Sequence, residues 1–181
     1  MRKFLWSFFE IVETVTVAIV AVFLIRTFVA QPFLVSGSSM EPTFRDGNYL
    51  LIDELAYRFR EPGRGEVIVF RYPGDHRSFY IKRVIGMPGE RVVIERDAVT
   101  VYLSDQTTKV LHEPYIDTLK GTFGRFEATL GADEYFVMGD NRGFSFDSRS
   151  WGPITRADII GLVRFRLWPA QTAAIFSAPL Y

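Results

Sequence analysis

Residues 66–85, EVIVFRYPGDHRSFYIKRVI, contain two runs with the composition of β-strands on either side of the turn sequence PGD at 73–75. Val, Ile, Phe and Tyr are enriched in strands, whereas Pro and Gly supply the backbone angles that a tight reversal needs. We therefore expect antiparallel strands at 66–72 and 78–85. One residue does not suit so apolar a run, because Lys82 carries an ammonium group.

The same alternation of short apolar runs and turn residues continues through the rest of the chain after Pro32. Further strands are predicted at 49–53, 91–95, 98–103, 134–138 and 159–168. Residues 105–124 are expected to form either a hairpin arm or a loose loop, and the apolar tail at 169–181 either packs on the domain or lies at a membrane surface. The predicted fold is mainly β, with an antiparallel β-sheet domain at 32–181 after an N-terminal segment at 1–31.

The composition argues against several classes of function. The chain of 181 residues has 21 Lys plus Arg and 21 Asp plus Glu, so no net charge favours binding to nucleic acid. It has no cysteine, which excludes a disulfide, a thiolate metal site and a cysteine nucleophile. His76 and His112 lack the spacing of a zinc-binding pair, so a zinc site is not expected.

The N-terminal segment is the one stretch apolar enough to enter a membrane. Residues 4–25 carry Glu10 and Glu13 as their only charges, and a helix of that length reaches roughly 33 Å, enough to cross a hydrocarbon core. A buried core helix and a cleaved signal peptide are the alternatives. Two basic residues precede the run and Arg26 follows it, so the positive-inside rule predicts a cytoplasmic N-terminus.

A turn with three serines follows this segment, at Ser36, Ser38 and Ser39. A serine hydroxyl is a weak nucleophile unless an adjacent base takes its proton, and a neutral lysine can be that base. Spacing alone does not choose among the three serines. All three could also be ordinary turn residues.

Lys82 is the candidate base. To act near pH 8, its pKa must fall by roughly two units from the reference value of about 10.4. Burial disfavours the ammonium form and lowers a lysine pKa, and Tyr80, Ile81, Val84 and Ile85 could provide the apolar surroundings. The alternative is that Lys82 points to solvent on an alternating strand.

Three blocks of the sequence resemble type I signal peptidases (leader peptidases). Residues 39–43, SMEPT, match the motif Ser-Met-x-Pro-Thr around the nucleophile of that family, and residues 82–89, KRVIGMPG, match the motif Lys-Arg-x-x-Gly-x-Pro-Gly around its base. Residues 139–149, GDNRGFSFDSR, match a third motif, except that Gly-Phe stands at 143–144 where the family commonly has Asp-Asn. The resemblance extends over nearly the whole chain.

This resemblance implies roles for individual residues. Ser39 would be the nucleophile, Lys82 the general base, and Ser145 would hydrogen-bond the lysine amine and orient it. The Ser39 backbone N–H would contribute to an oxyanion hole, and the second donor stays open because Gly37 replaces a serine that some relatives carry. The residues expected to support the site are Met40, Pro42, Gly139, Asp140, Asp147 and Arg149. The last two are expected to form an ion pair.

The resemblance also implies a function. The chain would be a membrane-bound serine endopeptidase, needing no cofactor, that removes signal peptides from exported preproteins through an acyl-enzyme. Its partners would be secretory preproteins with small residues near the cleavage site, and membrane lipid, but no nucleic acid. We expect a single-pass protein of the plasma or inner membrane with its catalytic domain outside the cytoplasm. An extended substrate would add to a strand edge, with small side chains entering pockets near Phe33, Tyr80 and Ile81.

Two other functions fit parts of the sequence. A self-cleaving repressor-type protease uses the same Ser-Lys chemistry, but the first 30 residues are too apolar and too short for its DNA-binding domain. A membrane-anchored β-domain that binds extended peptides without cleaving them would leave Ser39 and Lys82 as surface residues. Removing the Ser39 hydroxyl would leave the activity of such a binding module unchanged.

Overall fold

The structure is a computed structural model that describes residues 2–28, 30–105, 107–116, 121–122 and 124–179. Parts of two predicted stretches therefore lie outside the described residues, namely 106, 117–120 and 123 of the stretch 105–124, and 180–181 of the tail. The side chains of the basic residues at both ends of the predicted membrane segment also lie outside the described part.

The first element is helix α1 at Arg2–Phe28, which includes the helix predicted at 4–25. Its window Trp6–Phe23 has a mean hydropathy of 1.8, and none of it is buried against the rest of the chain. The alternative of a buried core helix is therefore not supported by the structure. By length and composition the helix can cross a membrane.

The elements after α1 are mostly strands. In chain order they are β1 (Ala30–Leu34), β2 (Tyr49–Asp53), α2 (Ala56–Phe59), β3 (Val67–Tyr72), β4 (Asp75–Gly86), β5 (Arg91–Glu95), β6 (Ala98–Tyr102), β7 (Thr108–Val110), β8 (Phe126–Thr129), β9 (Glu134–Met138), α3 (Ser148–Trp151), β10 (Ile154–Thr155), β11 (Ile159–Trp168) and β12 (Ala174–Ile175). Short 3₁₀ helices lie at Arg142–Phe144, Arg156–Asp158 and Ala170–Thr172. The prediction of a mainly β fold behind one apolar helix is confirmed.

Eight strands form one antiparallel sheet in the order β1-β2-β11-β3-β4-β9-β10, with β12 paired to β11. The remaining strands form a second antiparallel sheet in the order β7-β6-β5-β8. Because β7 pairs with β6, the described part of the stretch 105–124 begins as a hairpin arm, which is one of the two predicted alternatives.

The predicted strands differ from the observed ones mainly at their ends. The bounds of β2, β5, β9 and β11 are as predicted, but β4 begins at Asp75, three residues before the predicted start. Tyr72 pairs directly with Asp75, so the turn contains only two residues, Pro73 and Gly74. The five short strands β1, β7, β8, β10 and β12 were not predicted. Strand β1 begins at Ala30, two residues before the predicted domain boundary.

The large sheet has a hydrophobic core on each side. On β3, Ile68 and Phe70 pack in one core while Val67 and Val69 pack in the other, as the two-residue period of a strand requires. A third core is formed by the second sheet together with Ile85 of β4 and Phe136 and Met138 of β9. The same alternation on β4 directs the neighbouring side chains of Lys82 and Arg83 to opposite sides of the sheet.

Candidate active site

The fold brings Ser39 and Lys82 together across 43 residues of sequence. Lys82 lies on β4, paired with Ile68 of β3, and Ser39 lies in the turn after β1. Lys82 Nζ donates a hydrogen bond of 2.8 Å to Ser39 Oγ and a second one of 2.9 Å to the Ile81 carbonyl oxygen. Of the three serines in the turn, Ser39 is therefore the one whose hydroxyl contacts the lysine.

Lys82 is buried, with 4% of its surface exposed. Desolvation by burial lowers the pKa of Lys82 to about 8, although the carboxylates of Asp147 and Asp140 oppose this effect. The direction is the one predicted from the sequence. The Tyr80 ring, whose centroid lies 5.5 Å from Nζ, is part of these surroundings. At pH 8 about half of the amine is therefore neutral and able to accept a proton from Ser39.

The turn that carries Ser39 is fixed by local hydrogen bonds. Gly37 has a φ of 91°, a conformation that glycine adopts readily, and its N–H donates to Asp46 Oδ1 at 2.7 Å. Met40 is fully buried and its carbonyl accepts from Phe44 N–H at 2.8 Å. The Glu41–Pro42 peptide bond is cis. Met40 and Pro42 thus lie in the turn where the sequence placed them.

A buried ion pair connects this turn to the strand of the lysine. Arg83, the residue after Lys82, donates to both carboxylate oxygens of Asp140, at 2.8 and 2.6 Å, and to the Gly65 carbonyl at 2.8 Å. The hydroxyl of Thr43 donates to the same carboxylate at 2.6 Å. Asp140 therefore holds both the β4 strand and the end of the nucleophile turn. No role was predicted for Arg83 or Thr43, although both lie inside the matched motifs.

Replacing Asp140 with asparagine is expected to destabilise the protein strongly. It would remove the carboxylate that lies 2.6 Å from the buried guanidinium of Arg83, and removing one partner of a buried ion pair typically costs about 3 to 5 kcal/mol. For a chain of this size that corresponds to a fall in Tm of roughly 6 to 20 °C. Thermal unfolding of the detergent-solubilised protein would measure it.

Glu127→Gln is the matched control, since it breaks the Arg91–Glu127 pair, which has a similar distance of 2.9 Å but partners 42% and 49% exposed. Exposed ion pairs contribute about 1 kcal/mol or less to the free energy of unfolding, so the Tm of Glu127→Gln should differ little from that of wild type. Equal losses in Asp140→Asn and Glu127→Gln would contradict the assignment of Asp140 to a buried structural pair.

The third motif lies against the nucleophile turn through its backbone. Asn141 N–H donates to the Ser39 carbonyl at 3.0 Å, and Asn141 Nδ2 donates to the Ser38 carbonyl at 3.1 Å. A Cβ on Gly139 would lie 2.4 Å from the Ser39 carbonyl oxygen and 2.2 Å from Ser145 Oγ. Only glycine therefore allows this approach.

Asp147 and Arg149 form the expected ion pair, with a distance of 2.8 Å between Arg149 Nη2 and Asp147 Oδ2. The same carboxylate accepts from Gly139 N–H at 3.0 Å. Burial raises the pKa of Asp147, but the hydrogen bonds from Arg149 and Gly139, with the Ser145 hydroxyl nearby, more than compensate and the pKa is lowered. The pair is thus ionised and fixes the loop that carries Ser145.

The structure does not contain the hydrogen bond that was expected between Ser145 and Lys82. Ser145 Oγ is buried and has no hydrogen-bond partner among the described residues. The two hydrogen bonds of the amine go to Ser39 Oγ and to the Ile81 carbonyl oxygen instead. In this structure the Ile81 carbonyl is the group that orients the lysine.

Arg142 was another residue that the sequence did not single out. It is 2% exposed and donates to both carboxylate oxygens of Glu113, and to Thr122 Oγ1 at 2.6 Å. Its Nε donates to the Gly139 carbonyl at 3.0 Å. Arg142 therefore connects Glu113 and Thr122, in the segment after β7, to the loop that begins at Gly139.

A groove of about 480 Å³ opens over Ser39 and Lys82. The three predicted substrate-contacting residues, Phe33, Tyr80 and Ile81, line it. The sequence did not indicate the further apolar residues in its wall, which are Leu34, Val35, Leu50, Val69, Phe79, Phe144 and Phe146. Phe144 is the aromatic residue that departs from the family motif, and its ring is 73% exposed at the groove. In the described part of the chain no group of three or more metal-binding side chains could hold a metal ion.

Comparison with known proteins gives consistent matches. A family profile described as "Signal peptidase, peptidase S26" matches residues 8–168. A probable signal peptidase I-2 from Synechocystis sp. is 35% identical over 178 residues, covering 94% of this chain and 78% of the relative. Signal peptidase IB of Staphylococcus aureus is 33% identical over 177 residues, covering 88% and 89%. A crystal structure of a signal peptidase I from Enterococcus faecalis aligns with a TM-score of 0.48 and 28% identity, over 57% of this chain and 97% of that one.

Proposed function

Because the chain belongs to the signal peptidase family, peptidase S26, and is therefore a serine peptidase that removes signal peptides, we propose that it does so with a Ser39–Lys82 dyad. The observation that carries this proposal is the 2.8 Å hydrogen bond between Lys82 Nζ and Ser39 Oγ. A base within hydrogen-bond distance of the hydroxyl, with a pKa near the operating pH, is what acyl transfer by serine requires.

In the proposed mechanism, neutral Lys82 takes the proton of Ser39 as Oγ attacks the carbonyl carbon of the scissile peptide bond. The negative charge that develops on the carbonyl oxygen is stabilised by the Ser39 backbone N–H. Lys82 then gives its proton to the leaving amine, and the signal peptide stays attached to Ser39 as an ester. A water molecule, deprotonated by Lys82, hydrolyses this acyl-enzyme and restores the hydroxyl.

Ser145 is proposed to hold the amine when Ser39 no longer can. Once Oγ of Ser39 is part of the ester, it ceases to be a good hydrogen-bond partner for Lys82. Ser145 Oγ is buried beside the Ser39 carbonyl and has unused hydrogen-bonding capacity, which is unfavourable for a buried hydroxyl. Asp147 and Arg149 would act indirectly, by fixing the loop of Ser145.

The proposed substrates are secretory preproteins, which would bind with an extended segment in the groove over the dyad. Phe33, Tyr80 and Ile81 line this groove, so apolar walls would surround the side chains next to the scissile bond. We propose that small side chains such as that of alanine enter the space between these walls. Equal numbers of acidic and basic residues support a role without nucleic acid.

We further propose that α1 anchors the enzyme in the plasma or inner membrane, with a cytoplasmic N-terminus and the sheet domain on the other side. The helix has the length and composition for a single span, and β1 starts at Ala30, two residues after the helix ends. The dyad would then lie near the membrane surface, where a signal peptide leaves the lipid.

The test is cleavage of a preprotein with an Ala-x-Ala site by the detergent-solubilised protein between about pH 6 and 10. Because the base must be neutral and the pKa of Lys82 is about 8, kcat/KM should rise through pH 8 and level off above about pH 9. At pH 7 only about a tenth of the lysine is neutral, so the rate there should be roughly a tenth of the plateau.

N-terminal sequencing of the product would identify the scissile bond. A rate still rising at pH 10 would contradict a lysine with a lowered pKa, and a preprotein that binds without being cleaved would contradict the proposed dyad.

A further inference from the structure

The C-terminal segment, residues 169–179, contacts the turn that carries the nucleophile. After β11 ends at Trp168, the chain reverses through the 3₁₀ helix Ala170–Thr172, and β12 pairs back onto β11. Phe176 N–H then donates to the Arg164 carbonyl at 2.8 Å. Phe176 is not among the residues that line the groove over Ser39 and Lys82.

Arg166 on β11 connects the two segments. Its Nε donates to the Thr172 carbonyl at 2.7 Å, and its Nη1 donates to the Thr43 carbonyl at 2.9 Å. Thr43 follows Ser39 by four residues at the end of the same turn. One guanidinium therefore holds the backbone of the C-terminal segment and that of the nucleophile turn at a fixed separation, with the planar, charge-assisted geometry that arginine provides.

Phe176 adds an apolar contact to the same place. Its ring centroid lies 4.5 Å from that of Phe44, which is fully buried, and 5.2 Å from the guanidinium carbon of Arg166. Phe44 in turn donates its N–H to the Met40 carbonyl, directly after Ser39. A displacement of Phe44 would therefore be transmitted to the backbone of Ser39.

Thr43 is thus held from two sides. Its hydroxyl binds Asp140, which belongs to the loop of the site, at 2.6 Å, and its carbonyl binds Arg166 at 2.9 Å. The contact with Asp140 fixes the turn relative to the strand of Lys82. The contact with Arg166 fixes the turn relative to strand β11.

We propose that Arg166 and Phe176 are positioning residues that hold Ser39 at hydrogen-bond distance from Lys82. Neither lies in any of the three matched motifs, and neither touches the groove. The inference rests on the proposed function, because positioning has a consequence for turnover only if Ser39 is the nucleophile. A displacement of the order of 1 Å in a reacting group lowers rates by up to about 100-fold, so a small shift of the turn is sufficient.

The first test compares Arg166→Gln with Arg164→Gln in the full-length, detergent-solubilised protein. Arg164 lies on the same strand and loses an equal charge, but its side chain contacts Asp53 at 3.2 Å instead of the turn. Arg166→Gln should lower kcat by roughly tenfold and change KM by less than about twofold, because it affects alignment more than binding. The apparent pKa of the rate should not change. Arg166→Lys should recover part of kcat, since it keeps one charged donor.

The second readout is independent of activity. Hydrogen exchange in peptides covering residues 39–47 should be faster by roughly tenfold in Arg166→Gln than in wild type, and unchanged in Arg164→Gln. If Arg166→Gln does not fold, Phe176→Leu decides the question by the same two measurements, because it removes the ring contacts with Phe44 and Arg166 but keeps the hydrogen bonds of Arg166.

The inference is overturned if exchange in residues 39–47 is the same in Arg166→Gln and wild type, or if Arg164→Gln lowers kcat as much. A wild-type protein that cleaves no preprotein would refute the proposed function instead, and the exchange measurement would still decide whether Arg166 holds the turn.

Discussion

Replacing Ser39 with alanine is expected to lower kcat/KM for preprotein cleavage by about 10⁴-fold or more, since removal of the nucleophile in serine peptidases costs at least this much. The structure gives the reason, because the Ser39 hydroxyl is the one that Lys82 contacts, at 2.8 Å. The substitution removes a single oxygen from a half-buried side chain, so stability should change little. Initial rates at pH 9, with the preprotein at concentrations well below KM, would measure the loss.

Ser38→Ala is the matched comparison, because it removes the same group from the neighbouring residue of the same turn. Ser38 is exposed, and its contact with the site goes through its backbone carbonyl to Asn141. Even if the Ser38 hydroxyl helped to stabilise the oxyanion, its removal would lower kcat by no more than about 10² to 10³-fold. Comparable losses in Ser38→Ala and Ser39→Ala would contradict the choice of Ser39 as nucleophile.

The same variant separates an enzyme from a binding module. Wild-type enzyme stopped in acid during turnover should contain an ester-linked signal peptide that mass spectrometry detects, and Ser39→Ala should contain none. Ser39→Ala should nevertheless still bind the preprotein, because the groove residues Phe33, Tyr80 and Ile81 are unchanged. Cleavage that persists without the hydroxyl would exclude the acyl-enzyme mechanism.

The strands that the sequence predicted are those with an apolar face. Strands β2, β5, β9 and β11 alternate or run apolar between clear turn residues, and their ends were predicted correctly. Strand β7 has three exposed residues, and β10 and β12 have two residues each, so none has enough periodicity to be recognised. Strand β1 contains Pro32, which argues against a central strand but is tolerated here because β1 is at the edge of the sheet.

The sequence predicted those residues of the site whose chemical role requires a particular residue type. It did not predict the ion pairs between residues that are distant in sequence and become neighbours only in the fold. A lysine in an apolar strand suggested the base, and the motifs selected Ser39. The pairing of Arg83 with Asp140 spans 57 residues, and that of Arg142 with Glu113 spans 29, so no local pattern indicates them. The expected hydrogen bond between Ser145 and Lys82 is absent from the structure. It too could not be predicted from a local pattern, because the direction of the Ser145 side chain depends on tertiary packing.

Replacing Lys82 with methionine is expected to abolish cleavage, again by about 10⁴-fold or more, because no other base contacts Ser39 among the described residues. Methionine has a similar length and fits a buried site without a charge. The same substitution should stabilise the fold near neutral pH. In wild type, burial lowers the pKa of Lys82 from 10.5 to about 8, which corresponds to an unfavourable contribution of roughly 3 kcal/mol while the amine is protonated.

The sign of the pH dependence follows from proton binding. Between about pH 8 and 10.5 the unfolded chain keeps the lysine proton that the folded protein has lost, so the wild-type free energy of unfolding rises with pH. Below pH 8 both states are protonated and the full cost of burial is present. Lys82→Met removes this cost but also loses the hydrogen bonds to Ser39 and Ile81, each of which contributes about 1 kcal/mol.

The expected result is a Lys82→Met protein that is inactive yet more stable than wild type by about 1 kcal/mol at pH 7, with a Tm a few degrees higher. At pH 10.5 the advantage should disappear, because the amine is then neutral in the folded state and keeps its hydrogen bonds. Lys109→Met is the matched comparison, since it makes the same substitution at an exposed position on β7 in the second sheet. Thermal unfolding in detergent at both pH values would measure the effect. A Lys82→Met protein destabilised equally at pH 7 and 10.5 would mean that burial does not depress the lysine pKa, and the amine could then not act as a base near pH 8.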